Sequence, residues 1–273
     1  MKNTKEDAIL LALLEDKIEQ CQDHYVLAAS AFLDLRQRAL AEELCRRHPQ
    51  IRYALYGGYE AAERRIAVFF PDYIQMEAGE LQGLQGERSV EKYFRENQQD
   101  DPLAVIRAKT LPGAKALTHR DYLGSLMGLG LKRGTIGDIL ARPDGADILV
   151  LREMADFLLL NYEKAGRVNL ELQVVPGADI AAPESRTEER SDTVASLRLD
   201  NITASLFSTS RGKAGEAVKG GMVYINGLQA LKPDAAVKEG DKVVFRGKGK
   251  AVLTKVGGQT RKDRICITFQ RYV

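Results

Sequence analysis

Arg198-Leu199-Asp200-Asn201-Ile202-Thr203, then Ser210-Arg211, then Val223-Tyr224-Ile225-Asn226-Gly227, then Arg246-Gly247-Lys248-Gly249-Lys250: these four motifs decide how the C-terminal part of this 273-residue protein folds. Leu197, Leu199, Ile202, Leu206 and Phe207 form one apolar stripe at helical spacing. Ser210 is a good N-cap for a second helix, whose Ala214, Ala217 and Val218 face inward before Gly220-Gly221 ends it. Val223 and Ile225 alternate as a strand, and Asn226-Gly227 is the strongest short hairpin signal. A strand over 242–246, a Gly-Lys-Gly-Lys loop and a last strand over 264–270 complete two helices packed on a small curved sheet.

Charge singles out the same stretch. From Leu197 to the end there are 15 Lys and Arg against 6 Asp and Glu, a net of +9, although the full sequence sums to only +2. What precedes it is therefore a mildly acidic body at −7, and a basic module joined to such a body points to a polyanionic partner. Arg198, Ser210, Arg211, Lys213, Lys219, Arg246, Lys248 and Lys250 are the candidate contacts, able to bind phosphates by charge-assisted hydrogen bonds beside glycines that let a backbone approach. A solvated face is the better reading for any single lysine. For the cluster, sign, segregation and fold pattern together favour RNA.

Working towards the N-terminus, residues 176–193 hold Pro, Gly, Ser and mixed charge, and read as a linker or, in part, a rim strand. Residues 51–175 read as an α/β sandwich domain, with strands at 51–56, 65–70, 103–108, 136–141, 147–151 and 168–175. Thr118-His119-Arg120-Asp121 has capping-box form before a short helix, and a longer helix is expected over 152–164. Residues 1–50 read as a helical segment, with Leu10, Leu14, Ile18 and Cys21 on one face and Pro49 ending a second helix. The fold class expected is α+β, with N-terminal helices, a central sandwich and the C-terminal module at 194–273. Three scattered cysteines form no framework, and no apolar run nears the ~18 residues that span a bilayer. The segment 8–14 is flanked by acidic residues and lacks a cleavage site, so a cytoplasmic protein without membrane association is expected.

The C-terminal pattern resembles the RNA-binding domain named after small-subunit ribosomal protein S four, over Arg198 to about Lys250. His119-Arg120-Asp121-Tyr122-Leu123-Gly124, Gly128-Leu129-Gly130-Leu131-Lys132-Arg133 and Gly137-Asp138-Ile139 resemble the signature of the YlmH family, also called RqcP. Thr135 stands where that resemblance leads one to expect a charged residue. The resemblance implies ribosome-associated quality control: binding to a large ribosomal subunit obstructed by peptidyl-tRNA, and help to the tailing factor RqcH in adding C-terminal alanines. The partners implied are large-subunit rRNA and tRNA or peptidyl-tRNA, with no cofactor.

Sharper readings compete at single residues. Arg198-Leu199-Asp200-x-x-Thr203 matches the catalytic motif of pseudouridine synthases, but no separate catalytic domain follows it, and Asp200 reads better as bracing the first helix. His119, Arg120, Lys132 and Arg133 form a second candidate RNA contact; a solvated loop is an equal rival for Lys132-Arg133. No nucleophile accompanies His119, no Walker or dinucleotide loop is present, and no metal site is expected. Phe69 and Phe70 could stack on bases, but core burial is the stronger reading. The protein is thus expected to be a non-enzymatic RNA-binding factor, with a ribosome-assembly factor, an RNA-modifying enzyme and a protein-binding adaptor as rivals.

Overall fold

Leu14, Ile18 and Cys21, spaced three and four apart, are the buried face of α1 (Lys5–His24) in the computed structural model, which describes residues 5–75, 82–83, 87–180 and 187–272. The short β1 (Ala28–Ala29) follows, then α2 (Leu35–Arg46), started by a capping box in which Asp34 accepts from Gln37 N and Gln37 answers Asp34 N. β2 (Arg52–Tyr56), β3 (Ile66–Phe70) and β4 (Gln82–Gly83) join β1 in a four-stranded sheet of order β1-β3-β2-β4. After α3 (Glu87–Glu96) come β5 (Leu103–Thr110), α4 (His119–Gly128), β6 (Ile136–Arg142), β7 (Gly145–Leu151), α5 (Ala155–Asn161), β8 (Lys164–Ala165) and β9 (Val168–Val175). These strands form a second, antiparallel sheet of order β6-β7-β5-β9-β8.

The two sheets stack into an α/β/β/α sandwich. One core joins Ala54, Ile66, Val68 and Phe70 to Leu103, Val105, Leu149 and Val175, so the sheets meet face to face. Beyond the first sheet, Leu55, Ala67 and Phe69 pack under α1 and α2; beyond the second, Ile106, Ile148 and Val150 pack under α4 and α5. Burial on both faces explains why β3 reads as an unbroken apolar run instead of alternating. Phe69 and Phe70 are core residues, not a stacking platform. α1 and α2 share a core with β2 and β3, so the N-terminal helices are a layer of the same body, and the protein divides into the units Met1–Pro183 and Glu184–Val273.

In the second unit, β10 (Thr187–Val194), β11 (Val223–Ile225), β12 (Leu228–Gln229), β13 (Lys242–Phe245), β14 (Gly249–Gln259) and β15 (Ile265–Tyr272) form a sheet of order β10-β15-β14-β13-β11-β12. α6 (Leu199–Leu206) and α7 (Arg211–Lys219) cover one face through Leu199, Ile202, Leu206, Phe207 and Val218. The fold class is α+β. The rim strand offered as an alternative for part of 176–193 forms over Thr187–Val194, an edge strand paired with β15 in eight-residue register; most of its side chains are exposed, so backbone pairing forms it without an apolar pattern. Two local expectations need correcting. The Gly-Lys-Gly-Lys loop is a tight turn from which β14 starts at Gly249, and two register shifts break the alternation of that strand. The helix expected over 152–164 is a 3-10 turn over Arg152–Met154 leading into α5, because Lys164 and Ala165 pair with β9.

Candidate nucleic-acid interface

Asp200 organises the helical face of the second unit. It lies in the first turn of α6, 6% exposed, and accepts from Arg198 Nε and Nη2 at 3.3 and 3.2 Å and from Arg211 Nε at 3.1 Å. Burial alone would raise the Asp200 carboxyl. Hydrogen bonds from Arg198, Arg211 and the Asn201 N–H outweigh that and hold it below the ordinary carboxylate range. The carboxylate thus fixes two guanidinium groups, from the N-cap position of α6 and the first turn of α7, whose outer edges remain partly exposed. The carboxylate itself is nearly buried, held between the two guanidinium groups.

Arg198, Arg211 and Lys219 line an open hollow whose floor includes Gly212 and Gly215. A Cβ on either glycine would meet nothing within 4 Å, so no internal packing calls for glycine there. Each costs α7 about 1 kcal/mol relative to alanine, and each lets a ligand backbone reach the helix surface. Glu216 and Asp234 stand at the same hollow and offset part of its positive charge. Ser210 spends its hydroxyl on the N-cap, accepting from Lys213 N at 3.3 Å. Lys213 is exposed, about 200° around the helix from Arg211, and lies outside the hollow.

The other three candidates form a separate group at the β13–β14 turn. Arg246 lies over the Tyr224 ring at 4.7 Å, Lys250 over Tyr272 at 4.6 Å and Lys248 over Phe245 at 5.9 Å. The Arg246 N–H donates to Met222 O, which brings this turn to the exit of α7 near Lys219. Tyr224 and Tyr272 carry no signal of this role in the sequence; that their rings lie beneath Arg246 and Lys250 is visible only once the sheet is known.

The first unit separates its four candidates. His119 and Arg120 are exposed in the first turn of α4, behind the Thr118–Asp121 capping box. Lys132 is also exposed. Arg133 turns inward, its guanidinium donating to the carbonyls of Ile136 and Gly137, and burial lowers its pKa. Asp138 accepts from Tyr59 Oη, Glu63 N and Arg64 N, tying the 59–64 loop to β6. Gly137 allows this packing, since a Cβ there would stand 2.6 Å from the Phe32 ring. Elsewhere, Asp147 is fully buried between Arg107 (2.8 Å) and Arg142 (2.8 Å). Among the described residues no group of three or more His, Cys, Asp and Glu could hold a metal ion, and no helix is long and apolar enough to cross a membrane.

Comparison with known proteins matches both units. Residues 108–179 match the family model "Putative RNA-binding domain in YlmH", and residues 197–243 match the S4 domain. The protein is 33% identical over 250 residues to "Ribosome-associated protein quality control protein P2" of Bacillus subtilis (strain 168), an alignment spanning 92% of its own length and 89% of that relative. A solved structure, "Cell division protein ylmH from Streptococcus pneumoniae", is similar at 21% identity and a TM-score of 0.47, with 65% of the present sequence and 96% of that structure covered.

Proposed function

The chain belongs to the YlmH family, and from that premise we propose that it is an RNA-binding factor of ribosome-associated quality control. In this reading it docks on the rRNA of an obstructed large subunit, contacts tRNA or peptidyl-tRNA, and supports alanine tailing of the stalled polypeptide by RqcH. The observation that carries the RNA part is the hollow at α6 and α7: two arginines held in place by Asp200, Lys219, and a helix surface opened by Gly212 and Gly215. Guanidiniums fixed before binding lose little rotamer freedom when they meet phosphates. The basic turn at Arg246, Lys248 and Lys250 extends the contact, and His119, Arg120 and Lys132 supply a second one from the first unit. The protein does no covalent chemistry in this reading, since Asp200 is committed to its arginines. The quality-control role leans on the relative's name.

The test is a deletion strain carrying a stalling reporter, with the C-termini of the stalled polypeptides read by mass spectrometry. Alanine tails should shorten or vanish on deletion and return with wild type but not with Lys213→Glu/Lys219→Glu. Tails unchanged by deletion would remove the protein from tailing.

A further inference from the structure

The far end of the β14–β15 hairpin carries a second set of cations, outside the span that matches the S4 domain and more rigidly built than a solvated loop requires. Residues 255–264 hold Lys255, Arg261, Lys262 and Arg264 against the single acid Asp263, a net of +3. Thr260 closes the turn. Its N–H donates to Arg264 O at 2.7 Å, and its hydroxyl accepts from Lys262 N and Arg264 N at 3.3 and 3.2 Å. The Asp263 N–H returns to Thr260 O at 3.0 Å, with Asp263 left-handed at φ 54°. Arg264 anchors the turn sideways, donating to the hydroxyl and carbonyl of Thr193 on β10. Glu239 grips the other strand through Val256 N at 2.8 Å. Lys255, Arg261 and Lys262 are left exposed, with no ion pair among the described residues.

Two blander accounts cover part of this. A lysine on an unpaired strand edge discourages edge-to-edge aggregation, and β13 pairs β14 only as far as Val252, so Lys255 fits that role. Arg261 and Lys262 sit at the apex, where there is no ladder edge to protect. Simple solvation of the apex would not call for a turn pinned from both sides.

We infer that this hairpin tip is a second contact for the sugar-phosphate backbone of a structured RNA, acting together with the surface at α7 and the β13–β14 turn. The tip and the β13–β14 turn lie at opposite ends of the eleven-residue β14, roughly 30 Å apart at strand rise. One ligand reaching both must be an extended polyanion. A folded RNA helix meets that condition, and the bulged, twisted ribbon offers it a narrow cationic edge. The pinned turn keeps the ordering cost of contact small.

The inference builds on the RNA-binding reading, and the test separates the two. Full-length wild type, Arg261→Ala/Lys262→Ala and Lys213→Glu/Lys219→Glu are titrated with an RNA duplex of about 20 base pairs, by anisotropy, from about 50 to 200 mM salt. Arg264 is left intact because it holds the turn, and equal melting temperatures confirm that the tip variant is folded. The tip variant should bind roughly tenfold more weakly, with a log affinity–log salt slope shallower by about one for each phosphate no longer neutralised. Wild-type affinity and slope in the tip variant, with the α7 variant impaired, overturn the tip inference and leave the RNA reading standing. Failure of wild type to bind overturns both. A polyglutamate peptide titrated in parallel is the control: loss of its binding in the tip variant, with duplex binding retained, would assign the tip to an acidic protein and also overturns the inference.

Discussion

Replacing Asp200 by asparagine tests the centre of the interface, because the carboxylate accepts four hydrogen bonds from three residues in a nearly closed position. Asparagine has the same shape but no charge, and it offers one acceptor oxygen where the carboxylate offers two. Hydrogen bonds to charged groups are worth ~1.5–3 kcal/mol each when enclosed. The partners Arg198 and Arg211 are 43% and 56% exposed, so solvent screening reduces each to about 1 kcal/mol. The Asn201 N–H can still find the remaining oxygen. The second unit should therefore lose about 2 kcal/mol, equivalent to an approximately 30-fold fall in hydrogen-exchange protection. Mass-resolved exchange of the full-length protein reads this in peptides from α6 and α7, while peptides from β5 and β7 serve as the unchanged reference. The pH dependence has a definite sign. The folded pKa of Asp200 is depressed, so its stabilisation is complete above the unfolded value near 3.9 and is lost as pH falls through the folded value. The gap between wild type and variant should be full at neutral pH and close only below about pH 4. Protection in α6 and α7 that changes less than about twofold at neutral pH would refute the claim that Asp200 braces the two arginines.

Three further perturbations address the first unit. Asp147→Ala leaves Arg107 and Arg142 facing a buried gap and should cost about 3–5 kcal/mol, read as a large drop in the urea midpoint. Gly145→Ala places a Cβ 2.1 Å from the Ala108 carbonyl oxygen at φ +153°, so β5 and β7 must separate there; melting should fall by several degrees or the protein should become insoluble. The Asp101 carboxyl is pushed up to about 6, chiefly by burial, against the opposing pull of the Leu103 N–H and Arg152. A raised carboxylate pKa means that its stabilisation is full below about pH 4 and is lost as pH rises through about 6. Wild-type stability should decline across that window, and Asp101→Asn should remove the decline.

Much of the local structure is legible because it depends on neighbours in sequence. The Thr118–Asp121 capping box forms as its spacing indicates, and Asn226-Gly227 adopts φ of 49° and 78°, the left-handed pair of a tight hairpin. What escapes a sequence reading is set at long range. β10 has almost no buried side chain, so its pattern does not decide between the linker and the rim strand; β15 decides by offering it a ladder, and β14 hides its period behind two register shifts. The four-layer arrangement of the first unit cannot be seen in the N-terminal segment alone, because α1 and α2 are covered by β2 and β3. At the interface, the basic residues can be found from charge but not their grouping. Arg198, Arg211 and Lys219 meet at one hollow, Arg246, Lys248 and Lys250 lie over aromatic rings beside it, and Lys213 points elsewhere. Arg133 looks the same in sequence as Lys132, yet carbonyls at the start of β6 take up its guanidinium.

The central claim, that the C-terminal surface holds this protein on RNA of the large ribosomal subunit, is tested most directly by sucrose-gradient sedimentation. Tagged wild type is run beside Lys213→Glu/Lys219→Glu, two exposed positions with no part in the Asp200 network, and the large-subunit fractions are probed for peptidyl-tRNA. Wild type should travel with large subunits bearing tRNA and leave them as salt is raised, and the variant should stay near the top of the gradient. Wild type remaining at the top, or a variant that sediments as wild type does, would contradict the account.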